Sequence, residues 1–268
     1  MRGLWSWAAA AAVLAILSGC SGGSGTAVPP ITREGVSLRV ADGNLQSDAQ
    51  VVSIRGGAGQ DTLYVEEGAF RVLGSQRSAG VTREFISRDG QSVAFLTTPP
   101  GFSDIGLLRL VYQKDGVTYV SDGVLGQTTR VADMPSAGRA EFSGNEALAT
   151  WIDIGSASNL NGGETIVDVN FGTGRVSALL DFTGSADSQS APIDVIELND
   201  MRISGNRFAG GTLTSRKGGA KVAAFSDPSN LSSSGVFAGR GAAELGGVFY
   251  TKLPQGRLLE GRYLAARD

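Results

Sequence analysis

The chain has 268 residues, with 23 Lys and Arg against 26 Asp and Glu, and its net charge of −3 argues against a nucleic-acid surface. It contains no histidine and one cysteine, which excludes Ser-His and Cys-His nucleophilic sites, histidine-bound zinc or haem, and any disulfide within the chain. Glycine numbers 39 against 8 prolines, about twice average usage, and that ratio points to many tight turns in an all-β chain.

At the N-terminus, Arg2 precedes an uncharged run from Trp7 to Leu17, followed by Leu17-Ser18-Gly19-Cys20. This is the layout of an export signal, and the apolar run is too short for a membrane span, which needs ~20 residues. A lone cysteine at the cut marks a bacterial lipid-attachment site. Residues 1–19 are therefore expected to be a signal peptide and Cys20 the lipidated residue. Diacylation and an amide-linked acyl chain would supply the two or more hydrophobic signals that stable anchoring requires. Ser21 is not the aspartate that typically holds such proteins at the inner membrane, so the outer membrane is expected. Removing the first 19 of 268 residues leaves 249, and loss of Arg2 takes the charge from −3 to −4. Residues 20–34, made largely of Gly, Ser, Thr, Ala, Val and Pro, form a flexible tether.

Residues 35–130 predict a β-rich region with short strands at 36–41, 51–55, 62–65, 69–73, 82–87, 92–97, 107–113 and 117–121. Lys114-Asp115-Gly116 between two β-rich runs is a strong hairpin signal. The run Gly56-Gly57-Ala58-Gly59-Gln60-Asp61-Thr62-Leu63-Tyr64 fits a calcium-binding nonapeptide, with Asp61 as the candidate ligand. One copy supplies half a cage, and a glycine-rich hairpin turn is the plainer reading.

Residues 131–268 are more regular. Thr165, Val167, Val169 and Phe171 alternate with polar positions, and after Gly172-Thr173-Gly174 the chain returns through Val176, Ala178, Leu180 and Phe182. Further strands are predicted at 139–142, 147–154, 201–203, 207–214, 235–238, 247–252 and 258–265, with a helical turn at 242–245. Eight or nine successive strands without crossover helices predict an antiparallel barrel, because closure removes exposed edges. Charge on the outer face and few aromatic residues speak for a soluble barrel filled by side chains.

Met134-Pro135-Ser136-Ala137-Gly138-Arg139-Ala140-Glu141-Phe142-Ser143-Gly144 and the segment from Ser234 to Phe249 resemble the opening and closing segments of the transferrin-binding protein B-like lipoprotein barrels. The middle hairpins around Gly172 and Gly205 are similar to that family's as well. In the closing segment the signature residues are Gly235, Phe237, Gly239, Glu244, Gly246, Gly247 and Phe249. The resemblance implies an eight-stranded barrel behind a β-rich handle, in an outer-membrane lipoprotein that is often displayed on the cell surface. Family members bind host transferrin, factor H, haemoglobin or haem through a loop or the handle. One barrel stands here where transferrin-binding protein B has two lobes, and no recognition loop can be matched. Architecture and location are carried over, and transferrin as the ligand is not.

Two expectations accompany the motif. Gly246 and Gly247 are expected to take dihedrals open to glycine, and Phe237 and Phe249 to meet across strands. Asp153, Asp168 and Asp181 lie on adjacent predicted strands but are expected on the solvent face, against a glycosidase pair. Tyr263, Tyr250 and Met201 are the side chains that could ligate haem without histidine, and core packing is the commoner role. Trp151 reads equally as core or as an interface anchor. The loops at 186–192 and 217–233, rich in Ser and Gly, are expected to be mobile and to carry binding. The reading is a monomeric, non-catalytic binding protein without a cofactor, held to the membrane by its lipid and engaging an unidentified protein or small solute. A structural or assembly-related envelope lipoprotein is the rival.

Overall fold

The computed structural model describes residues 32–41, 44–57, 60–64, 74–79, 82–87, 90–114, 116–153, 156–226, 231–253 and 257–268. The expected signal, Cys20, almost all of the tether and the strand expected at 69–73 lie outside these residues. The described chain is all-β, in two antiparallel sheets.

The first sheet contains β1 (Thr32–Ala41), β2 (Asn44–Gly57), β3 (Gln60–Tyr64), β4 (Gly74–Ala79), β5 (Thr82–Ser87), β6 (Val93–Thr97), β7 (Ile105–Lys114) and β8 (Val117–Gly126). Its spatial order is β3-β2-β1-β8-β7-β6-β5-β4, and β4 was not foreseen. The expected hairpin joins β7 to β8, with Gly116 at φ 77° supplying the left-handed turn residue. The sheet curls until its edge strands β3 and β4 touch. One of its faces encloses Phe85, Leu96, Leu108, Leu110, Tyr112 and Leu125.

The second sheet contains β9 (Arg139–Asp153), β10 (Ser156–Asn170), β11 (Arg175–Asp181), β12 (Val195–Ser204), β13 (Arg207–Ala209), β14 (Thr212–Lys217), β15 (Ala220–Lys221), β16 (Leu231–Ala238), β17 (Glu244–Lys252) and β18 (Leu258–Arg267). β12 pairs back onto β11, which closes an eight-stave antiparallel barrel. β13 and β14 both pair with β12 and share one stave. The run expected at 207–214 breaks because Gly210 and Gly211 take φ 78° and 92° beside the bulge at Asp200, itself at φ 61°.

The barrel interior is filled by side chains. Val167 faces Ala178 and Val169 faces Val176 across the β10–β11 hairpin, as the alternation predicted. Phe237 sits at the aromatic centre, with ring centroids 5.3 Å from Phe208, 5.8 Å from Phe171 and 6.4 Å from Phe142. Space for the rings comes from glycines. A Cβ on Gly163 would lie 2.5 Å from the Phe182 ring, one on Gly235 2.1 Å from Phe208, and one on Gly261 2.4 Å from Phe249.

β17 departs from alternation, since Glu244 through Thr251 are all buried. Leu245 and Phe249 point into the barrel, while Val248 and Tyr250 face the first sheet. There Val236, Val248, Tyr250, Leu258 and Leu264 of the barrel wall meet Val36, Ile105 and Val124 of the first sheet. The two sheets thus share an apolar seam, and the outer wall over β16, β17 and β18 is core instead of surface.

Candidate functional site

The signature segment forms the β16–β17 hairpin and shapes both sides of the wall. The turn between the strands uses Gly239 at φ 74°, Gly241 at φ 65° and Ala242 at φ 58°. That left-handed Ala242 and a strand starting at Glu244 replace the helical turn expected at 242–245. Gly246 and Gly247 are ordinary strand residues, and neither takes a positive φ. Close approach is their purpose: a Cβ on Gly247 would lie 2.5 Å from the Tyr263 ring inside the barrel. One on Gly246 would lie 2.7 Å from Leu264 and 2.9 Å from Ile105 in the seam. Phe237 pairs with Leu245 and Phe249 with Ser233, so the two phenylalanines are not cross-strand neighbours.

Glu244 is the polar centre of this end of the seam. Its carboxylate accepts hydrogen bonds from the amides of Ser103 (2.8 Å), Asp104 (2.9 Å) and Ile105 (2.9 Å), and from the Ser103 hydroxyl (3.1 Å). The linker beyond β8 is stitched to the same hairpin. The Thr129 amide donates to Phe237 O, the Thr129 hydroxyl to Gly239 O, and Asn206 Nδ2 to Thr129 O. Arg207 of the barrel lies 3.6 Å from Glu34 of β1.

Farther along the seam, Arg262 Nη1 donates to Leu108 O at 2.8 Å and to Asp122 Oδ1 at 2.7 Å. Glu260 stands on the same strand and the same outward face. Burial, followed by the Asp122 carboxylate, pushes its carboxyl up to about 7 against the opposing pull of Arg109 and Arg262.

At the barrel end away from the β16–β17 turn stand the described parts of the connections after β11 and β14. Over their described residues both make hydrogen bonds that fix their path. The turn at Ala186–Gln189 is capped by Ser185, whose hydroxyl accepts from the Asp187 amide at 3.2 Å. Lys217 Nζ donates to Ser188 O and lies 3.8 Å from Asp194, whose carboxylate also accepts from the Gly218 amide at 2.9 Å. The turn at Ala223–Phe225 plugs the barrel mouth with buried Phe225, whose ring meets Trp151 edge-on at 6.0 Å. Trp151 is half-buried against the core, and its Nε1 is buried without a hydrogen-bond partner among the described residues. It packs on the core from the rim of the barrel, which agrees with the core reading.

The remaining candidates do not assemble. Asp61 lies in β3, paired with Gly56 across the antiparallel β2–β3 hairpin, and among the described residues no group of acidic side chains that could hold a metal ion is formed. Asp168 faces Ser177 and Glu141, while Asp181 faces Glu164 and accepts from the Thr183 amide at 2.8 Å; the two carboxylates do not converge. An open recess of about 460 Å³ on the outer wall is lined by Arg139, Glu141, Asp168, Asn170, Arg175 and Ser177. Sequence reading missed it, since the strand register that sets Glu141 opposite Asp168 supplied the pairing. Tyr263 and Met201 are buried together in the barrel, with the Tyr263 hydroxyl 3.9 Å from Met201 Sδ, while Tyr250 faces the other way into the seam. Burial pushes the Tyr263 hydroxyl well above its ordinary pKa, and the three side chains share no site.

The family model for the C-lobe and N-lobe beta barrels of Tf-binding protein B matches residues 134–267. No curated protein matches the sequence. Among solved structures, the chain is similar to intact Ap-TbpB with its N and C lobes, at 20% identity and a TM-score of 0.57, covering 86% of this chain and 45% of that one. It is similar to a double mutant of the vaccine antigen Transferrin Binding Protein B from Haemophilus parasuis, at 19% identity and a TM-score of 0.59, covering 86% and 44%. It is also similar to the isotype 1 protein from serogroup B Neisseria meningitidis, at 19% identity and a TM-score of 0.54, covering 87% and 43%. The chain therefore spans less than half the length of these relatives, and the likeness at this identity is one of fold.

Proposed function

The chain belongs to the transferrin-binding protein B-like barrel family, and from that premise we propose that it is a non-catalytic binding protein, lipid-anchored through Cys20 at the outer membrane. It captures a protein or a small solute at the cell exterior, with nutrient or iron-related acquisition as the class of work. The supporting observation is the filled barrel behind the family signature: with the interior occupied by Phe142, Phe208, Phe237, Phe249 and Tyr263, recognition falls to the surface. The pinned connections at 182–194 and 217–226 form the best candidate platform, because ordered loops lose less freedom on binding. The namesake's ligand, transferrin, is one protein to test, and the match to under half of a two-lobed relative leaves the ligand open.

The test is capture from growth medium, host serum and envelope extract by the chain lacking residues 1–20. A variant reversing the exposed charges of Asp187 and Lys221 is run beside it. A partner enriched by the first and lost in the second supports the reading. Failure to enrich any partner, together with protection from protease added to intact cells, favours the structural or assembly-related lipoprotein. Cys20→Ser is expected to move the protein from the membrane to the soluble fraction.

A further inference from the structure

Besides the Glu244 cluster and the Arg207–Glu34 pair, the seam between the first sheet and the barrel holds one further group of charges. Glu260 projects outward from β18, with Tyr250 of β17 and Thr150 of β9 as its cross-strand neighbours. Asp122 of β8, which pairs with Arg109 of β7, lines one small recess with Glu260, and Arg262 stands two positions along the same strand. Arg262 is committed elsewhere, since its Nη1 serves Asp122 and the Leu108 carbonyl across the seam. Among the described residues, Glu260 accepts no hydrogen bond and lies in no ion pair. A half-buried carboxylate that faces an apolar wall and a second carboxylate is harder to ionise than a free one, whereas a neutral carboxylic acid fits.

The geometry points to a proton-sensitive clasp: Glu260, with Asp122, Arg262 and Arg109, holds the handle sheet against the barrel most tightly when Glu260 carries a proton. Burial and the Asp122 charge raise the Glu260 carboxyl to about 7 in the closed seam, from an ordinary value of 4.5. Because the closed form binds the proton more strongly than the open one, the clasp is fully in force below about 4.5 and is lost as the pH rises through about 7. With those two values, opening becomes roughly 30-fold more favourable between about pH 5.5 and about pH 8.5. Nothing in this depends on what the barrel binds.

Amide hydrogen exchange of the chain lacking residues 1–20 tests it, with protection factors corrected for the intrinsic pH dependence of exchange and followed on β7, β8 and β18. Protection at the seam is expected to fall roughly 30-fold over that interval in the wild type and to stay flat in Glu260→Gln. The β10–β11 hairpin on the far side of the barrel serves as the internal reference. Carbon-13 titration of the wild-type glutamate carboxyls is the measurement that needs no variant, and one carboxyl is expected to titrate near pH 7. A seam whose protection does not vary with pH, a Glu260→Gln variant that keeps the full dependence, or no glutamate titrating above pH 6 would each overturn the clasp.

Discussion

Replacing Glu244 with alanine removes a single acceptor that serves four donors on the strand entry at Ser103, Asp104 and Ile105. Hydrogen bonds to a charged group are worth about 1.5–3 kcal/mol, and a buried amide left without a partner costs about 1–3 kcal/mol. The bond to the Ile105 amide is buried and counts in full, at about 2 kcal/mol. Ser103 is exposed and Asp104 half-buried, so their donors recover water and together add about 1–2 kcal/mol. The expected loss is therefore about 3–4 kcal/mol for Glu244→Ala, and about 2 kcal/mol for Glu244→Gln, which keeps one carbonyl oxygen. Urea unfolding of the chain lacking residues 1–20, followed at once by circular dichroism and tryptophan fluorescence, measures it. Of the three tryptophans only Trp151 remains in that form, and it reports from the opposite end of the barrel. A loss below about 1 kcal/mol for Glu244→Ala would refute the assignment of Glu244 as the seam's anchor.

Gly247→Ala drives a methyl into the Tyr263 ring and is expected to cost about 2–3 kcal/mol in the same assay, while Gly241→Ala, with open space around its Cβ, costs only the backbone strain of about 1 kcal/mol. Phe225→Ala empties the barrel mouth beside Trp151, with an expected loss of about 3–4 kcal/mol and a red shift of the Trp151 emission; an unchanged spectrum would contradict the plug. Absorbance titration at alkaline pH should show the Tyr263 phenol un-ionised until the protein unfolds, because its neutral form alone is compatible with the buried site. Sign fixes the direction for Glu260: its raised carboxyl makes global stability fall between about pH 4.5 and about pH 7 and level off above, by an upper value of about 3 kcal/mol, and Glu260→Gln removes that slope.

The barrel was legible because its code is local. Alternation in 165–171 and 176–182 around Gly172-Thr173-Gly174 dictates a hairpin with one apolar face, and β11 shows that pattern residue for residue. The seam was not legible, because Glu244 finds its donors some 140 positions away and nothing local announces them. A signal did exist in Glu244-Leu245-Gly246-Gly247-Val248-Phe249-Tyr250, a strand with no polar alternation after its first residue, which is the pattern of burial on both faces. Its helix-forming start, Ala242-Ala243-Glu244-Leu245, instead suggested a helical turn, and tertiary context overrode that propensity by setting Ala242 in a left-handed turn. Aromatic pairing failed for a related reason. Two phenylalanines on neighbouring strands meet only if the register allows it, and the β16–β17 turn offsets Phe237 from Phe249 by four positions.

A strand with no solvent face also has a bearing on modularity. The segment matched by the family model, 134–267, contains the whole barrel, yet cut free of the preceding sheet it would present Val236, Val248, Tyr250, Leu258 and Leu264 to water as one continuous greasy panel. The border of the family match therefore runs through a shared core, and a polar substitution on either side of the panel is expected to weaken the hold on both sheets.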